Sequence, residues 1–324
     1  MAGSSGNSPG PWLVTGANGF VGRAFCDFLH QRGLPYRAVV RRRREAQGAD
    51  IAMGDFAQAD WRGVLQGVSC LFHCAARAHV MQERAADPLA EYRRANVEVT
   101  ARLAEQAAAA GVSRFVFLST VKVLGEASGE RPFTEKAPPD PRDDYARSKL
   151  EAEEVLAGIG RLTGMQVVIL RVPLLYGPAV KGNFLSLLKV VARGWPLPLG
   201  SIDNRRSLLY LGNLCDALLA IGQRSPCPSG TWLLADGEDL STPQLLRALA
   251  RALGVPALTW PCPLWLLTLL AALAGKEAAW ERLRGSLAID ASAFDQAFDW
   301  HTPYTVAQGL AETAAWYRRR QSLA

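Results

Sequence analysis

The segment Gly16-Ala17-Asn18-Gly19-Phe20-Val21-Gly22 stands between a short apolar run, Trp12–Thr15, and a helical pattern over Phe20–Gln31. Its first glycine permits a tight turn, the second lets backbone N–H groups approach a pyrophosphate, and the third lets helix and strand pack closely. The helix N-terminus adds positive potential. A strand, this turn and a helix in that order predict a dinucleotide-binding site. The contacts expected there are Gly16, Asn18, Gly19, Phe20, Val21 and Gly22.

Apolar runs and helical patterns continue to alternate beyond this turn. Further strands are predicted at Tyr36–Val40, Val68–Cys74, Arg114–Ser119 and Gln166–Val172, and helices at about 88–110 and 144–163. Strands that are apolar throughout and separated by helices form parallel sheets covered on both faces. The predicted fold class is therefore α/β, a Rossmann-type doubly wound parallel sheet.

The regular alternation of strand and helix patterns ends after Pro173, where Gly-Pro and Trp-Pro-Leu-Pro clusters separate short elements. Strand patterns return at Arg206–Leu211 and Thr231–Leu234, which we expect to rejoin the sheet. The predicted domains are a disordered leader at 1–11, a dinucleotide-binding domain at 12–176 plus about 205–235, a smaller interleaved substrate domain at about 177–204 and 236–304, and a closing helix at 305–320.

Composition excludes several classes of protein. The net charge of +6 comes from 36 basic and 30 acidic residues without a basic stripe or reader motif, so no nucleic-acid partner is expected. The six cysteines contain no C-x-x-C pair, which predicts neither a metal site nor a disulfide framework. The N-terminus lacks the basic and apolar regions of a signal peptide. Together with cysteines typical of a reducing compartment, this favours a cytoplasmic location.

One uncharged stretch, residues 255–275, imitates a membrane span. Its prolines at 256, 261 and 263 leave only Leu264–Ala274 as a continuous helix, about half the length that crosses a bilayer. No membrane span is therefore predicted. A buried helix of the substrate domain is the favoured interpretation, and a helix at the membrane surface is the alternative.

The end of the second strand bears on the choice of cofactor. Arg41 stands there in place of the acidic residue that binds an adenosine ribose diol, and arginine suits a 2′-phosphate. NADP is therefore favoured over NAD, with a solvated basic turn as the alternative. Asp55 and Phe56, after the third strand, are expected to flank the adenine.

Tyr145 and Lys149 lie one helical turn apart at the start of a helix, after the strand that ends in Ser119 and Thr120. A phenol that exchanges protons near pH 7 needs its pKa lowered from about 10, a shift worth roughly 4 kcal/mol. One cation about 4 Å away supplies a term of that size. We therefore expect Lys149 to lower the pKa of Tyr145; an exposed tyrosine in a surface ion pair is the alternative.

Several motifs together point to one family. They are Thr15-Gly16-x-x-Gly19-x-x-Gly22, His73-Cys74-Ala75-Ala76, Asn96, Phe117-Leu118-Ser119-Thr120, Tyr145-x-x-x-Lys149, Leu170-Arg171-x-Pro173-x-x-Tyr176-Gly177-Pro178 and Arg205-Arg206-Ser207 followed by Asn213-Leu214. With them the chain resembles the extended short-chain dehydrogenase/reductases of the NAD-dependent epimerase/dehydratase family, from about Trp12 to Arg320.

The resemblance implies roles for individual residues. The catalytic residues would be Thr120, which bonds the reacting oxygen, Tyr145 and Lys149. Cofactor contacts beyond the glycine turn would come from Arg41, Asp55, Phe56, Cys74, Ala75, Ala76, Asn96, Ser119, Tyr145, Lys149 and Pro173. Substrate contacts would come from Ser119, Thr120, Lys122, Asn183, Phe184, Leu199 and Arg206, the last as a clamp on a diphosphate.

One departure from the family narrows the expected reaction. Sugar 4,6-dehydratases carry Asp-Glu directly after the catalytic Thr, whereas this chain has Val121-Lys122, so dehydratase activity is not expected. The segments 119–126, 182–184 and 204–207 resemble the branch that acts on UDP-N-acetylhexosamines. We therefore expect a UDP-sugar 4-epimerase or 4-keto reductase. The family resemblance also implies a homodimer. The alternatives are a non-catalytic NAD(P)-binding sensor or scaffold and a reductase of a non-nucleotide ketone.

Overall fold

A computed structural model describes residues 10–43, 50–78 and 87–322. The strands are β1 Trp12–Thr15, β2 Tyr36–Val40, β3 Ile51–Ala52, β4 Cys70–His73, β5 Arg114–Thr120, β6 Gln166–Val172, β7 Leu174–Tyr176, β8 Leu208–Tyr210 and β9 Gly230–Leu233. The helices are α1 Phe20–Gln31, α2 Arg62–Leu65, α3 Pro88–Arg93, α4 Val99–Ala109, α5 Asp144–Thr163, α6 Gly182–Ala192, α7 Leu211–Gln223, α8 Thr242–Leu253, α9 Leu264–Leu273, α10 Glu277–Arg284, α11 Ser292–Phe298 and α12 Val306–Ser322.

The described strands build a seven-stranded sheet in the order β3-β2-β1-β4-β5-β6-β9. The pairs β1–β2, β1–β4, β2–β3 and β4–β5 are parallel, with Trp12 opposite both Tyr36 and Cys70. Chain order reverses direction beside β1, as in a doubly wound sheet. The predicted α/β Rossmann-type fold is thereby confirmed.

The long Ala-rich helix predicted at 88–110 has a π-helical segment, Arg94–Glu98, between α3 and α4. Within it Asn96 is 1% exposed, and its backbone carbonyl accepts a hydrogen bond from the Thr100 hydroxyl at 2.6 Å. Such single π turns occur frequently at functional sites. The Asn96 side chain that this turn presents is bonded to the Arg77 backbone, in the loop after β4.

The chain forms two compact units. Unit 1 comprises Met1–Ser119, Asp143–Leu170 and Ser225–Thr231, and its core gathers apolar side chains of β1, β5, α4 and α5 around Trp61. Unit 2 comprises Thr120–Arg142, Arg171–Arg224 and Trp232–Ala324. In unit 2 the buried Asp236 carboxylate accepts hydrogen bonds from the Tyr176 hydroxyl at 2.8 Å and the Asn213 amide at 2.7 Å.

This division differs from the predicted domain boundaries. Most of segment 205–235 lies in unit 2, because β8 pairs in parallel with β7 in a separate two-stranded sheet. Only β9 takes its place beside β6 in the main sheet. The expectation that the strand predicted at Arg206–Leu211 rejoins the main sheet is therefore wrong.

Two further expectations need correction. Residues 1–9 of the predicted disordered leader lie outside the described residues, but Gly10 and Pro11 are bonded to the body of unit 1, where their carbonyls accept hydrogen bonds from Ser69 at 2.6 and 3.2 Å. Helix α9, expected to be buried, has no buried residue, and most of its large side chains face solvent. Among the described residues, no helix combines the length and apolarity that crossing a lipid bilayer requires.

Candidate active site

The glycine turn leaves no space for side chains. Gly16 has a φ of +67°, and the Gly19 N–H donates to the Gly16 carbonyl at 2.8 Å. A Cβ at Gly22 would lie 2.3 Å from the Gly16 carbonyl oxygen, and a Cβ at Gly16 would lie 2.8 Å from the Ala75 Cα. The turn therefore brings the start of α1 against the Cys74–Ala75 backbone after β4.

The N-terminus of α1 is suited to an anion. Its N-cap is Gly19, so no side chain caps the helix, and Phe20 and Val21 are its first residues. Uncapped N–H groups at such an end, together with the helix dipole, bind phosphate. A turn that a Cβ would fill and an uncapped helix end fit a dinucleotide, with Asn18 partly buried beside them.

His73 holds the end of β4 in place. Its Nδ1 lies 2.7 Å from the Thr15 hydroxyl and its Nε2 lies 3.1 Å from the Thr100 hydroxyl, and the ring is buried. Desolvation, with Lys149 adding repulsion, lowers the pKa of His73 to about 3. The ring is therefore neutral and links β1, β4 and α4 rather than acting as a base.

The residues expected around the adenosine separate into two groups. Arg41 is exposed at the end of β2, and Asp55 pairs with Arg94 at 2.9 Å. Phe56, in contrast, is 5% exposed and packs edge-on against Trp61 at 4.9 Å in the core. Its ring therefore cannot flank an adenine as expected, and only its backbone is left for that role.

Tyr145 and Lys149 occupy the first two turns of α5. Asp143 caps this helix by accepting a hydrogen bond from the Ala146 N–H at 2.7 Å. Tyr145 is partly exposed, and its ring lies 6.2 Å from the ring of Tyr92. Lys149 is 1% exposed, and its ammonium lies 3.7 Å above the ring of Phe117 on β5.

Burial dominates the electrostatics of Lys149. Desolvation lowers its pKa to about 7, although Glu153 and Cys74 act in the opposite direction. A buried ammonium is stable only with compensating partners, which here are the Phe117 π face and the charge of Glu153. Since this pKa lies near neutrality, the Lys149 amine gains and loses its proton in the physiological pH range.

The expectation that Lys149 lowers the pKa of Tyr145 is not met in this structure. Desolvation raises the pKa of the Tyr145 phenol, and Asp143 and Tyr92 raise it further. Burial, Asp143 and Tyr92 set the direction of the shift, and the Lys149 ammonium, which lies over the Phe117 ring, does not reverse it.

Ser119 was expected to contact cofactor and substrate, but its hydroxyl donates to the Glu153 carboxylate in a short hydrogen bond. Both side chains are nearly inaccessible, with Glu153 4% exposed. Glu153 stands one helical turn after Lys149 on α5 and was not identified from the sequence. The i+4 spacing from Lys149 was the signal that could have found it.

Asn96 was expected to bind the cofactor, but its amide is engaged within unit 1. Its Oδ1 accepts from the Arg77 N–H at 2.8 Å, and its Nδ2 donates to the Arg77 carbonyl at 3.2 Å and to the Ser148 hydroxyl at 2.9 Å. The π turn thus ties the Cys74–Arg77 loop, which contains Ala75 and the exposed Ala76, to the Tyr145–Lys149 helix.

In unit 2, Thr120 ends β5 and its hydroxyl accepts a hydrogen bond from the Lys122 N–H at 3.3 Å, capping a short 3₁₀ turn. The hydroxyl proton of Thr120 can still be donated. The Lys122 ammonium pairs with Glu126 at 3.3 Å. A direct role of Lys122 in substrate binding would have to compete with that pair.

Arg206 anchors the end of α10. Its Nη1 donates to the carbonyls of Arg282 and Gly285 at 2.5 and 3.1 Å, and desolvation lowers its pKa. These bonds use the two protons of one nitrogen out of five N–H groups of the guanidinium. The remaining fork is consistent with the expected diphosphate clamp, and α10 orients it.

The other expected substrate contacts differ in exposure. Asn183 is exposed at the start of α6, Leu199 is partly buried, and Pro173, an expected cofactor contact, is buried between β6 and β7. Phe184 is 1% exposed and stacks on Tyr176 at 5.3 Å. Its side chain therefore belongs to the core of unit 2 and not to a substrate pocket.

Comparison with known proteins places these features in context. Residues 12–231 match the model of the NAD dependent epimerase/dehydratase family. The chain is 38% identical over 307 residues to a UDP-glucose 4-epimerase from Vibrio cholerae, covering 93% of this chain and 94% of that protein.

A more distant relative differs in substrate. The N-acetyl-alpha-D-glucosaminyl-diphospho-ditrans,octacis-undecaprenol 4-epimerase of Escherichia coli O157:H7 is 28% identical, over 70% of this chain and 72% of that protein. Among solved structures, MoeE5 in complex with UDP-glucuronic acid and NAD is similar with a TM-score of 0.78 and 26% identity, covering 96% of this chain and all of that one.

Proposed function

Because this chain belongs to the NAD-dependent epimerase/dehydratase family, we propose that it inverts the configuration at C4 of a UDP-linked hexose or N-acetylhexosamine. The observation that carries the proposal is the Tyr145–Lys149 pair on α5, tied through Asn96 to the loop that borders the glycine turn. The relative from Vibrio cholerae, a UDP-glucose 4-epimerase, supports the reaction class, and MoeE5, seen with UDP-glucuronic acid and NAD, supports a UDP-sugar and NAD(P).

Tyr145 would exchange a proton with the oxygen on C4, as a general base while the alcohol becomes a ketone and as a general acid on return. When bound, NAD(P) supplies the acceptor and donor of the C4 hydride. Lys149 and the cofactor's positive charge would together offset the raised pKa of the phenol. The role of Thr120 as a donor to the reacting oxygen stays a prediction.

A 4-keto reductase is the second candidate, and Arg41 favours it. The exposed guanidinium at the end of β2 is suited to the 2′-phosphate of NADP, the usual reductant in biosynthesis. We also propose that the protein is not a dehydratase, because Val121-Lys122 stands where dehydratases have their second acid–base pair. A cytoplasmic location and a homodimer also stay predictions.

A sugar linked to a lipid diphosphate is the alternative substrate. The Escherichia coli relative acts on such a molecule, and the exposed apolar helix α9 favours it here. The same C4 chemistry would apply, since the reacting carbon does not depend on the group attached to the far side of the diphosphate.

The deciding experiment incubates the protein with UDP-GlcNAc, UDP-GalNAc, UDP-glucose and a UDP-4-keto-6-deoxy sugar, with and without NADPH. We expect C4 inversion without added cofactor. Consumption of one NADPH per ketone would make the protein a reductase instead. Bound NAD(P) without turnover of any of these sugars would refute the UDP-linked substrate and leave the lipid-linked sugar and the non-catalytic sensor as candidates. An Arg41→Ala variant that loses affinity for NADP but not NAD would assign the 2′-phosphate contact.

A further inference from the structure

Unit 2 exposes a group of large apolar side chains on α9 and in the segment just before it. These side chains, here called the apolar face, are Trp260, Leu264, Trp265, Leu269, Leu270 and Leu273. Trp265 is 69% exposed and Leu273 is 77% exposed. Soluble proteins rarely expose contiguous apolar surfaces of this kind unless the surface binds something.

A second strip extends the apolar face. The Leu197 N–H donates to the Leu258 carbonyl at 2.7 Å, and the Trp260 N–H donates to the Leu197 carbonyl at 3.2 Å. These bonds hold the segment that begins with Trp195 beside the segment that leads into α9. Trp195 and Leu258 are both about half exposed, so the apolar surface continues across the two segments.

Among the charged residues that flank the apolar face, cations are in slight excess. No charged residue occurs between Val255 and Gly275. The exposed residues Arg251 and Lys276 flank this stretch, and the Arg193 guanidinium lies 5.0 Å from the Trp195 ring. The rim also carries the acids Asp203 and Glu277, and Glu281 is neutralised by Arg284 at 2.7 Å.

We propose that the apolar face docks onto the surface of an anionic phospholipid bilayer. Leucines that enter the acyl region, tryptophans at the headgroup level and cations at the rim are the composition of an interfacial element. The ten residues of α9 are about half of what crossing requires, so the helix lies in the interface.

Docking would place the proposed diphosphate ligand at the lipid surface. The Trp280 Nε1–H of α10 donates to the Thr268 hydroxyl of α9 at 2.9 Å, so the two helices are joined. Arg206 is bonded to the carbonyl of Arg282 in the last turn of α10 and to that of Gly285 just after it. This arrangement suits the alternative substrate, a sugar diphosphate carried by a polyprenyl chain. That step rests on the proposed C4 chemistry, whereas docking does not.

The test is co-sedimentation of the full chain with vesicles of phosphatidylcholine alone and of equimolar phosphatidylcholine and phosphatidylglycerol. We expect binding to the anionic vesicles that weakens as salt rises. The double variant Trp265→Asp/Leu269→Asp should bind at least about tenfold more weakly. The matched control is Leu162→Asp, on a leucine that is 88% exposed at the end of α5, and it should bind like the wild type.

The proposal is overturned if the wild type stays in the supernatant with both vesicles, or if the double variant sediments as well as the wild type. It is also overturned if the double variant only dissociates a dimer, since the face would then cover a second copy. Turnover of soluble UDP-sugars by both proteins is measured alongside. Vesicle binding without turnover would refute the proposed UDP-linked substrate and leave docking intact.

Discussion

Polar groups usually lie at the surface of a protein and apolar groups in its core. The region at the start of α5 departs from the first rule, and helix α9 departs from the second. Near the start of α5, an ammonium, a carboxylate and a carboxamide are buried beside an apolar core, and each has a partner. At α9, leucines and tryptophans face solvent on a helix without a buried residue. Both arrangements cost free energy relative to a simple surface and core.

The buried polar side chains near α5 and the exposed apolar side chains of α9 are retained for different reasons. The polar groups near α5 are satisfied within unit 1, which holds Tyr145 and Lys149 in a fixed arrangement. The apolar groups of α9 are not covered by the described residues, which is why we propose a lipid surface as their partner. Sites where local rules fail are where function is expected.

Replacing Tyr145 with Phe tests the α5 side of the comparison most strongly. Loss of the proton carrier should lower kcat about 10²- to 10⁴-fold, while thermal stability should change little because Tyr145 is only partly buried. Steady-state turnover of the UDP-sugar that the wild type converts is the measurement. Tyr92→Phe, on the neighbouring ring, is the control, and equal losses in both variants would contradict the assignment.

The pH profile is the next largest effect. In the proposed mechanism the charged form of Lys149 assists the phenol, and this form is lost as pH rises through the Lys149 pKa of about 7. We expect kcat/KM, which reports the free enzyme, to fall up to about tenfold per pH unit above that value. A profile that stays flat from pH 6 to about 9 would show that the charge of Lys149 is not required.

Glu153→Gln should have a smaller effect. The amide can still accept the Ser119 hydrogen bond, but it removes the charge that raises the pKa of Lys149. That pKa should therefore fall, moving the alkaline loss of kcat/KM to lower pH and reducing activity about 3- to 10-fold at pH 7.5. Glu154→Gln, on the exposed neighbour, should leave the profile in place. An unshifted profile in Glu153→Gln would leave the carboxylate a purely structural role.

Leu269→Gln should have the smallest effect on folding. Because Leu269 is already half exposed, the free energy of unfolding should change by no more than about 0.5 kcal/mol. Chemical denaturation measures it, with the core substitution Leu103→Ala as a reference expected to cost about 2–5 kcal/mol. A comparable loss in both variants would mean that α9 is part of the core, and the contrast between the two regions would disappear.

Much of the fold and part of the site could be predicted from local patterns. The glycine turn, the bounds of α1 and α5 and the one-turn spacing of Tyr145 and Lys149 are all set by periodicity and residue type over a few residues. The partners of Lys149 could not be predicted in this way. Phe117 lies on strand β5, distant in sequence, and the pKa of Lys149 depends on how deeply its ammonium is buried.

Local patterns were enough to predict the alternating strands and helices, the glycine turn and the one-turn spacing of Tyr145 and Lys149, because strand and helix periods, glycine's freedom at positive φ and i+4 contacts are local properties. Packing between distant segments makes Phe56 and Phe184 core residues, brings Ser119 to Glu153, raises the pKa of Tyr145 and leaves α9 exposed among the described residues. Burial and pKa depend on which distant segments pack against a residue. An apolar sequence is the same in a buried helix and in an exposed one, so it does not distinguish the two.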